Sequence, residues 1–82
     1  MKSNKIKEYR RKANLTQEEL GVKIGMSQEA VAQYESGSRT PNIFIALRIS
    51  KALGASLESI FAPWISRIEI IKIRIEIKRG ER

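Results

Sequence analysis

Gln28, Glu29 and Gln33 lie within one six-residue stretch, between a serine at 27 and a glycine at 37. Their side chains bind by hydrogen bonding; none is a nucleophile. A glutamine amide presents one donor and one acceptor in a plane, which matches the N6 and N7 edge of adenine, and such a bidentate contact discriminates against a wrong base by roughly 1–3 kcal/mol. Glu29 has two uses beside them. It can accept a hydrogen bond from cytosine N4, or it can exclude other sequences by repulsion. The competing reading makes Gln28 and Gln33 ordinary solvated helix residues. The caps and the turn around them weigh against it.

Such groups need a rigid face, and residues 16–35 read as two short amphipathic helices across a tight turn. Thr16 followed by Glu19 forms a capping box. Leu20, Ile24 and the small Gly21 then line a buried face. Glycine inside a helix costs about 1 kcal/mol relative to alanine, so Gly21 is expected where another helix approaches closely. Gly25 suits a left-handed turn, Met26 packs inward, and Ser27 caps the second helix. Val31 and Tyr34 face the core, leaving Gln28, Glu29, Ala32 and Gln33 outside.

Ile6, Tyr9, Arg10 and Ala13 mark the inner side of a preceding helix over residues 4–13, ended by Asn14 with Leu15 entering the core. After Gly37 comes a loop through Ser38, Arg39, Thr40 and Pro41. Asn42 caps a fourth helix with Ile43, Ala46, Leu47 and Ile49 as apolar positions, finishing near Gly54. Ser56 opens a short fifth helix through Leu57, Ile60 and Phe61, which Pro63 ends. Five helices joined by short loops predict a compact all-α domain over residues 1–63.

The 82 residues make one small domain, 41% apolar, with neither cysteine nor histidine. A zinc site, a disulfide staple and thiol chemistry are therefore not expected. So small a core calls for further stabilisation, and oligomerisation is the leading candidate. The net charge of +7 divides as +4 up to Pro63 and +3 beyond it, which favours an anionic partner. Ser27 and Ser56 read as caps without a base, and there is neither a phosphate-cradling glycine loop nor an acidic metal cluster. No enzymatic activity, cofactor or metal is expected. Charges interrupt the apolar residues of the tail, so no membrane span or signal peptide is expected, and the location is read as cytoplasmic.

Residues 64–82 change character, with seven isoleucines between 65 and 77. At about 100° per residue, a helix would set Ile68, Ile71 and Ile75 on one side and Ile70, Ile73 and Ile77 on the other, leaving no single apolar face. A strand sets Ile71, Ile73, Ile75 and Ile77 on one face against Lys72, Arg74, Glu76 and Lys78. β-branched residues favour that reading, with a bulge or register break at Ile70 and Ile71. The helical part offers no second strand to pair with it. The expectation is therefore a homodimer whose C-terminal β-strands pair between subunits, using Ile68, Ile70, Ile71, Ile73, Ile75 and Ile77. The tail's cations are read as a solvated polar face and its last four residues as frayed.

Taken together, the residues resemble the helix-turn-helix domain of lambdoid phage repressor and Cro proteins, a family of DNA-binding regulators. Arg10, the run from Leu15 to Leu20, Ile24, Gly25, Ser27, Gln28, Val31, Tyr34, Glu35, Gly37, Arg39, Pro41, Leu53 and Gly54 carry the likeness, over about three quarters of the chain. The resemblance implies a repressor-like fold with Gln28 as the main base reader and Glu29 and Gln33 beside it. It implies a phosphate-binding and bracing role for Gln17. Ser36, Ser38, Arg39, Thr40 and Asn42 would follow the DNA backbone with the capping Ser27. It also implies a structural pair of Arg10 with Glu35. A solvated Glu35 would repel DNA, which independently favours that pair. Gly21 replaces the family's usual alanine, and Glu29 stands where a neutral or basic residue is common. The paired tail is similar to the architecture of some Cro proteins.

These readings converge on a homodimeric transcription regulator, expected to be a repressor that reads a palindromic operator in double-stranded DNA. With no sensor or self-cleavage module expected in so short a chain, binding alone would do the work. The alternative is an antitoxin that represses its own operon and binds a toxin protein through its tail. A pure interaction module without DNA is disfavoured by the glutamines, and membrane attachment by the wheel of the tail.

Overall fold

Thr16, Ser27 and Asn42 start helices for one reason: each has extended backbone, and its side-chain oxygen accepts an N–H that the first helical turn leaves without a partner. The computed structural model describes residues 4–61 and 67–80, with side chains in the second stretch from Arg74 onward. Its helices are α1 (Ile6–Lys12), α2 (Gln17–Ile24), α3 (Gln28–Ser36), α4 (Ile43–Leu53), α5 (Leu57–Phe61) and α6 (Arg67–Gly80). No strand occurs among the described residues.

Ile6, Leu20, Ile24, Val31, Tyr34, Ile49, Leu57, Ile60 and Phe61 form a core shared by the first five helices. Helix α2 packs on α3 and α4, while α1 lies against α3, α4 and α5. Ile45 is buried on α4, whereas Ile43 and Leu47, expected inside, are only half-buried; Ala13, expected on the inner side of α1, is exposed. The chain start is fastened at two points. The Asn4 side chain accepts from the Ile6 N–H (2.8 Å) and donates to the Tyr34 carbonyl (2.8 Å), and the Lys5 N–H donates to the Ile60 carbonyl (2.9 Å).

Between α2 and α3 the turn is tight enough to make two glycines necessary. Gly25 adopts φ 73°, the left-handed region. A Cβ on Gly21 would stand 2.6 Å from the Met26 carbonyl oxygen. The close neighbour is thus the backbone of the turn itself, where a second helix was expected. The Met26 N–H also donates to the Gly21 carbonyl at 2.8 Å.

The capping box at α2 is complete: the Glu19 N–H donates to Thr16 Oγ1 (3.0 Å) and the Thr16 N–H to Glu19 Oε1 (2.8 Å). Thr16→Ala is expected to cost about 1 kcal/mol in urea unfolding. The Thr16 backbone N–H, then its hydroxyl, hold the Glu19 carboxyl below the usual glutamate range. A lowered folded-state pKa gives stability that is complete above the unfolded glutamate's pKa and is lost as pH falls through the folded value. Glu19→Gln should therefore flatten the acid side of the stability profile. Urea midpoints measured from neutral to acidic pH check this, and parallel profiles for variant and wild type would refute it.

The C-terminal strand is corrected by α6. Residues Arg67–Gly80 are helical, so the interchain strand pairing of the expected fold and the bulge at Ile70 and Ile71 have no place in this segment. The reason is hydrogen bonding. A strand needs a partner for its whole backbone, and one chain supplies none. A helix closes those bonds within itself, and isoleucine costs it only a few tenths of a kcal/mol per residue. Glutamate, lysine and arginine between the isoleucines are good helix formers. Arg74 fastens α6 to α5 through Glu58 at 3.0 Å. Ile75 is 49% exposed while Ile77 is half-buried. The side chains of Ile68, Ile70, Ile71 and Ile73 lie outside the described residues.

Candidate nucleic-acid interface

Ala30, Val31 and Tyr34 bury one side of α3, and that fixes what the other side offers. Gln28, Glu29, Gln33 and Ser36 are exposed on it, with the half-buried Ala32 among them, so nothing bulky stands between the two glutamines. Ser27 Oγ accepts from the Ala30 N–H at 3.1 Å and starts the helix. Glu29 occupies the first turn, where a carboxylate complements the positive end of the helix dipole. That gives Glu29 a structural use besides any base contact.

At its other end α3 is held by a hub at Glu35. This carboxylate accepts from Arg10 Nε (2.5 Å) and Nη2 (3.3 Å) and from Gln17 Nε2 (3.0 Å). The pair is enclosed, with side chains only 10% (Arg10) and 5% (Glu35) exposed. Arg10 also donates to the Leu15 carbonyl at 2.7 Å. Three helices, α1, α2 and α3, thus meet at one ion pair. Gln17 uses one amide N–H on Glu35, and the second remains for an outside acceptor. The Arg10 bond to the Leu15 carbonyl carries no sequence signal beyond residue type.

The loop after α3 folds back on that helix. The Gln33 carbonyl accepts from Ser36 Oγ (3.1 Å), Ser38 Oγ (3.4 Å) and the Arg39 N–H (3.3 Å). Carbonyls at a helix end lack partners within the helix, so these bonds meet a need and pin the loop beside Gln33. Arg39 places its guanidinium over the Tyr34 ring, 5.4 Å from the centroid. Thr40 follows on the exposed rim, and Asn42 Oδ1 caps α4 by accepting from the Ile45 N–H at 2.9 Å. Gln28, Glu29, Gln33, Ser36, Ser38 and Arg39 therefore lie on α3 and the loop bonded to its end. Gln17, Ser27 and Asn42 occupy helix starts around them.

Helix α3 is thus held at both ends and offers polar side chains outward. The described residues contain no group of three or more histidines, cysteines or acids placed to hold a metal. None of the described helices is long and apolar enough to cross a membrane.

Comparison with known proteins agrees with this architecture. The helix-turn-helix family profile matches residues 6–60. The chain belongs to this family, the Cro/C1-type helix-turn-helix, whose members are DNA-binding regulators and not enzymes. It is 41% identical over 58 residues to an uncharacterized HTH-type transcriptional regulator of Methanocaldococcus jannaschii, covering 71% of this chain and 88% of that one. It is 38% identical over 58 residues to another from Bacillus subtilis, with the same two coverages. Among solved structures it is similar to the P22 c2 repressor, crystallised with a synthetic operator, at 35% identity and a TM-score of 0.64, over 66% of this chain and 82% of that one. Helix α6 lies outside the stretch that the family profile matches.

Proposed function

We propose that the protein is a transcriptional repressor that lays α3 in the major groove of double-stranded DNA. Gln28, Glu29 and Gln33 read base edges there. Gln17, Ser27, Ser36, Ser38, Arg39, Thr40 and Asn42 set the register along the phosphates, contacts that position the protein without specifying sequence. Repression follows from occupying a promoter. The observation that carries the reading is the outward face of α3, with its glutamines exposed and its far end fixed through Glu35.

The working unit is a homodimer. Ile75, exposed on α6, supports contact between two copies through that helix, with Ile68 and Ile71 at the same helical register. Twofold symmetry would set two copies of α3 about 34–36 Å apart, one DNA turn, and require a palindromic site. Selection from a randomised duplex library, run with the full chain and with Ile75→Glu, tests both parts. A palindrome enriched by the wild type and bound more weakly by the variant is the expected result. Enrichment of no sequence would defeat base reading. A single half-site enriched equally by both would defeat the dimer.

A further inference from the structure

Helix α3 and the loop after it carry little positive charge of their own. Arg39 aside, the exposed residues of α3 and its following loop are neutral or acidic. Helix α4 instead stands among positive charges contributed by three helices. Lys23, Arg48 and Lys51 line a pocket of about 240 Å³ between α2 and α4. Lys51 also borders a groove of about 450 Å³, formed with Leu47 on α4 and with Arg74, Ile77 and Lys78 on α6. Sharing Lys51, the two depressions make one surface. Among the described residues, the carboxylate in ion-pair range of any of these cations is Glu58, on Arg74. Arg48 uses one N–H on the Ile24 carbonyl at 3.3 Å.

The spacing adds an apolar component. Leu47 of α4 and Ile77 of α6, both half-buried, face each other across the groove, each about one turn or less from a lysine. Across the groove, Arg74, Ile77 and Lys78 sit at i, i+3 and i+4 of α6. A phosphate backbone needs the cations only. A groove with leucine and isoleucine in its lining and lysines and arginines on its rim matches a helix with one apolar stripe and acidic flanks. We propose that the groove between α4 and α6 receives an acidic amphipathic helix of a partner protein. The surface is displaced from the DNA-reading face. Among the described residues, neither depression is lined by any residue of α3 or of the loop that follows it. DNA and partner can therefore be held together, and α6, the element outside the family stretch, is what completes the groove.

The test uses the full chain, labelled with ¹⁵N, and a synthetic peptide of about four helical turns with leucines along one stripe and glutamates elsewhere. Saturable shifts at the amides of Leu47, Lys51 and Ile77, with Gln28 and Gln33 unmoved, are expected. Lys51→Glu combined with Lys78→Glu should weaken binding about tenfold or more, since reversed charges oppose the acidic flanks. Lys7→Glu combined with Arg11→Glu, on the exposed side of α1, should leave it unchanged. Dispersed spectra of both variants would show that they fold, and added duplex DNA should leave the peptide in place. Non-saturable binding, equal weakening by the α1 variant, or displacement by duplex DNA with shifts at the same amides would each overturn the proposal. The last outcome would assign the surface to the DNA backbone. None of these results depends on whether Gln28 reads a base.

Discussion

Arg10→Ala should remove a large fraction of the protein's stability. The ion pair with Glu35 is nearly closed to water, and removing one partner leaves the other buried without its counter-charge, at a cost of about 3–5 kcal/mol. A domain of this size has only about 4–12 kcal/mol in total. The loss corresponds to a fall in Tm of about 12–40 °C. Arg10→Ala also strips the Leu15 carbonyl of its donor, so it should exceed Glu35→Ala, which leaves Arg10 that contact. The informative variant is the double change, Arg10→Met with Glu35→Leu. With both charges gone and the volume filled, it should cost much less than the two alanine variants added together. Urea unfolding followed by circular dichroism measures all three. Single variants costing under about 1 kcal/mol each would show that the pair is solvated and that α3 is fixed by packing alone.

Much of this molecule is legible in its sequence because the signals that start and end its helices are local. Thr16, Ser27 and Asn42 announce helix starts because a capping oxygen acts within three residues of itself, and Gly25, Gly37 and Gly54 announce helix ends because left-handed backbone is a local property. The pattern of Leu20, Ile24, Val31 and Tyr34 then fixes which side of each helix is buried, leaving Gln28, Glu29 and Gln33 outside. What was not legible is long-range. The Asn4 bridge to Tyr34 and the Arg48 contact with Ile24 join residues far apart in the chain through side chains with many possible partners.

The tail departs from its sequence pattern for a different reason. Alternating isoleucines and charges are a strand signal, but a sequence pattern reports side-chain period and says nothing of whether a second strand exists to receive the backbone. Two isoleucine stripes on opposite sides of one helix looked like a helix without a purpose. In α6, Ile77 borders the groove against α4 while Ile75 lies open, so these two isoleucines have different surroundings.

Gln28→Ala should leave the protein folded and make it lose its preference at one base pair. The residue is exposed in the first turn of α3, alanine is the better helix former, and the Ser27 cap does not involve its side chain. On the selected site, affinity should fall by the value of a bidentate contact, about 1–3 kcal/mol or roughly 5- to 150-fold. On sites already substituted at that base pair, the variant and the wild type should bind alike. Arg39→Ala provides the contrast. A phosphate contact carries no sequence information, so its loss should weaken binding to every duplex and reduce the slope of log K against log salt by about 1. Fluorescence anisotropy on matched and substituted duplexes at several salt concentrations separates the two patterns. If Gln28→Ala instead weakened all duplexes equally and lowered the salt slope, Gln28 would be a backbone contact. The reading of sequence would then pass to Gln33 and Glu29, whose exposure on the same face leaves them free to perform it.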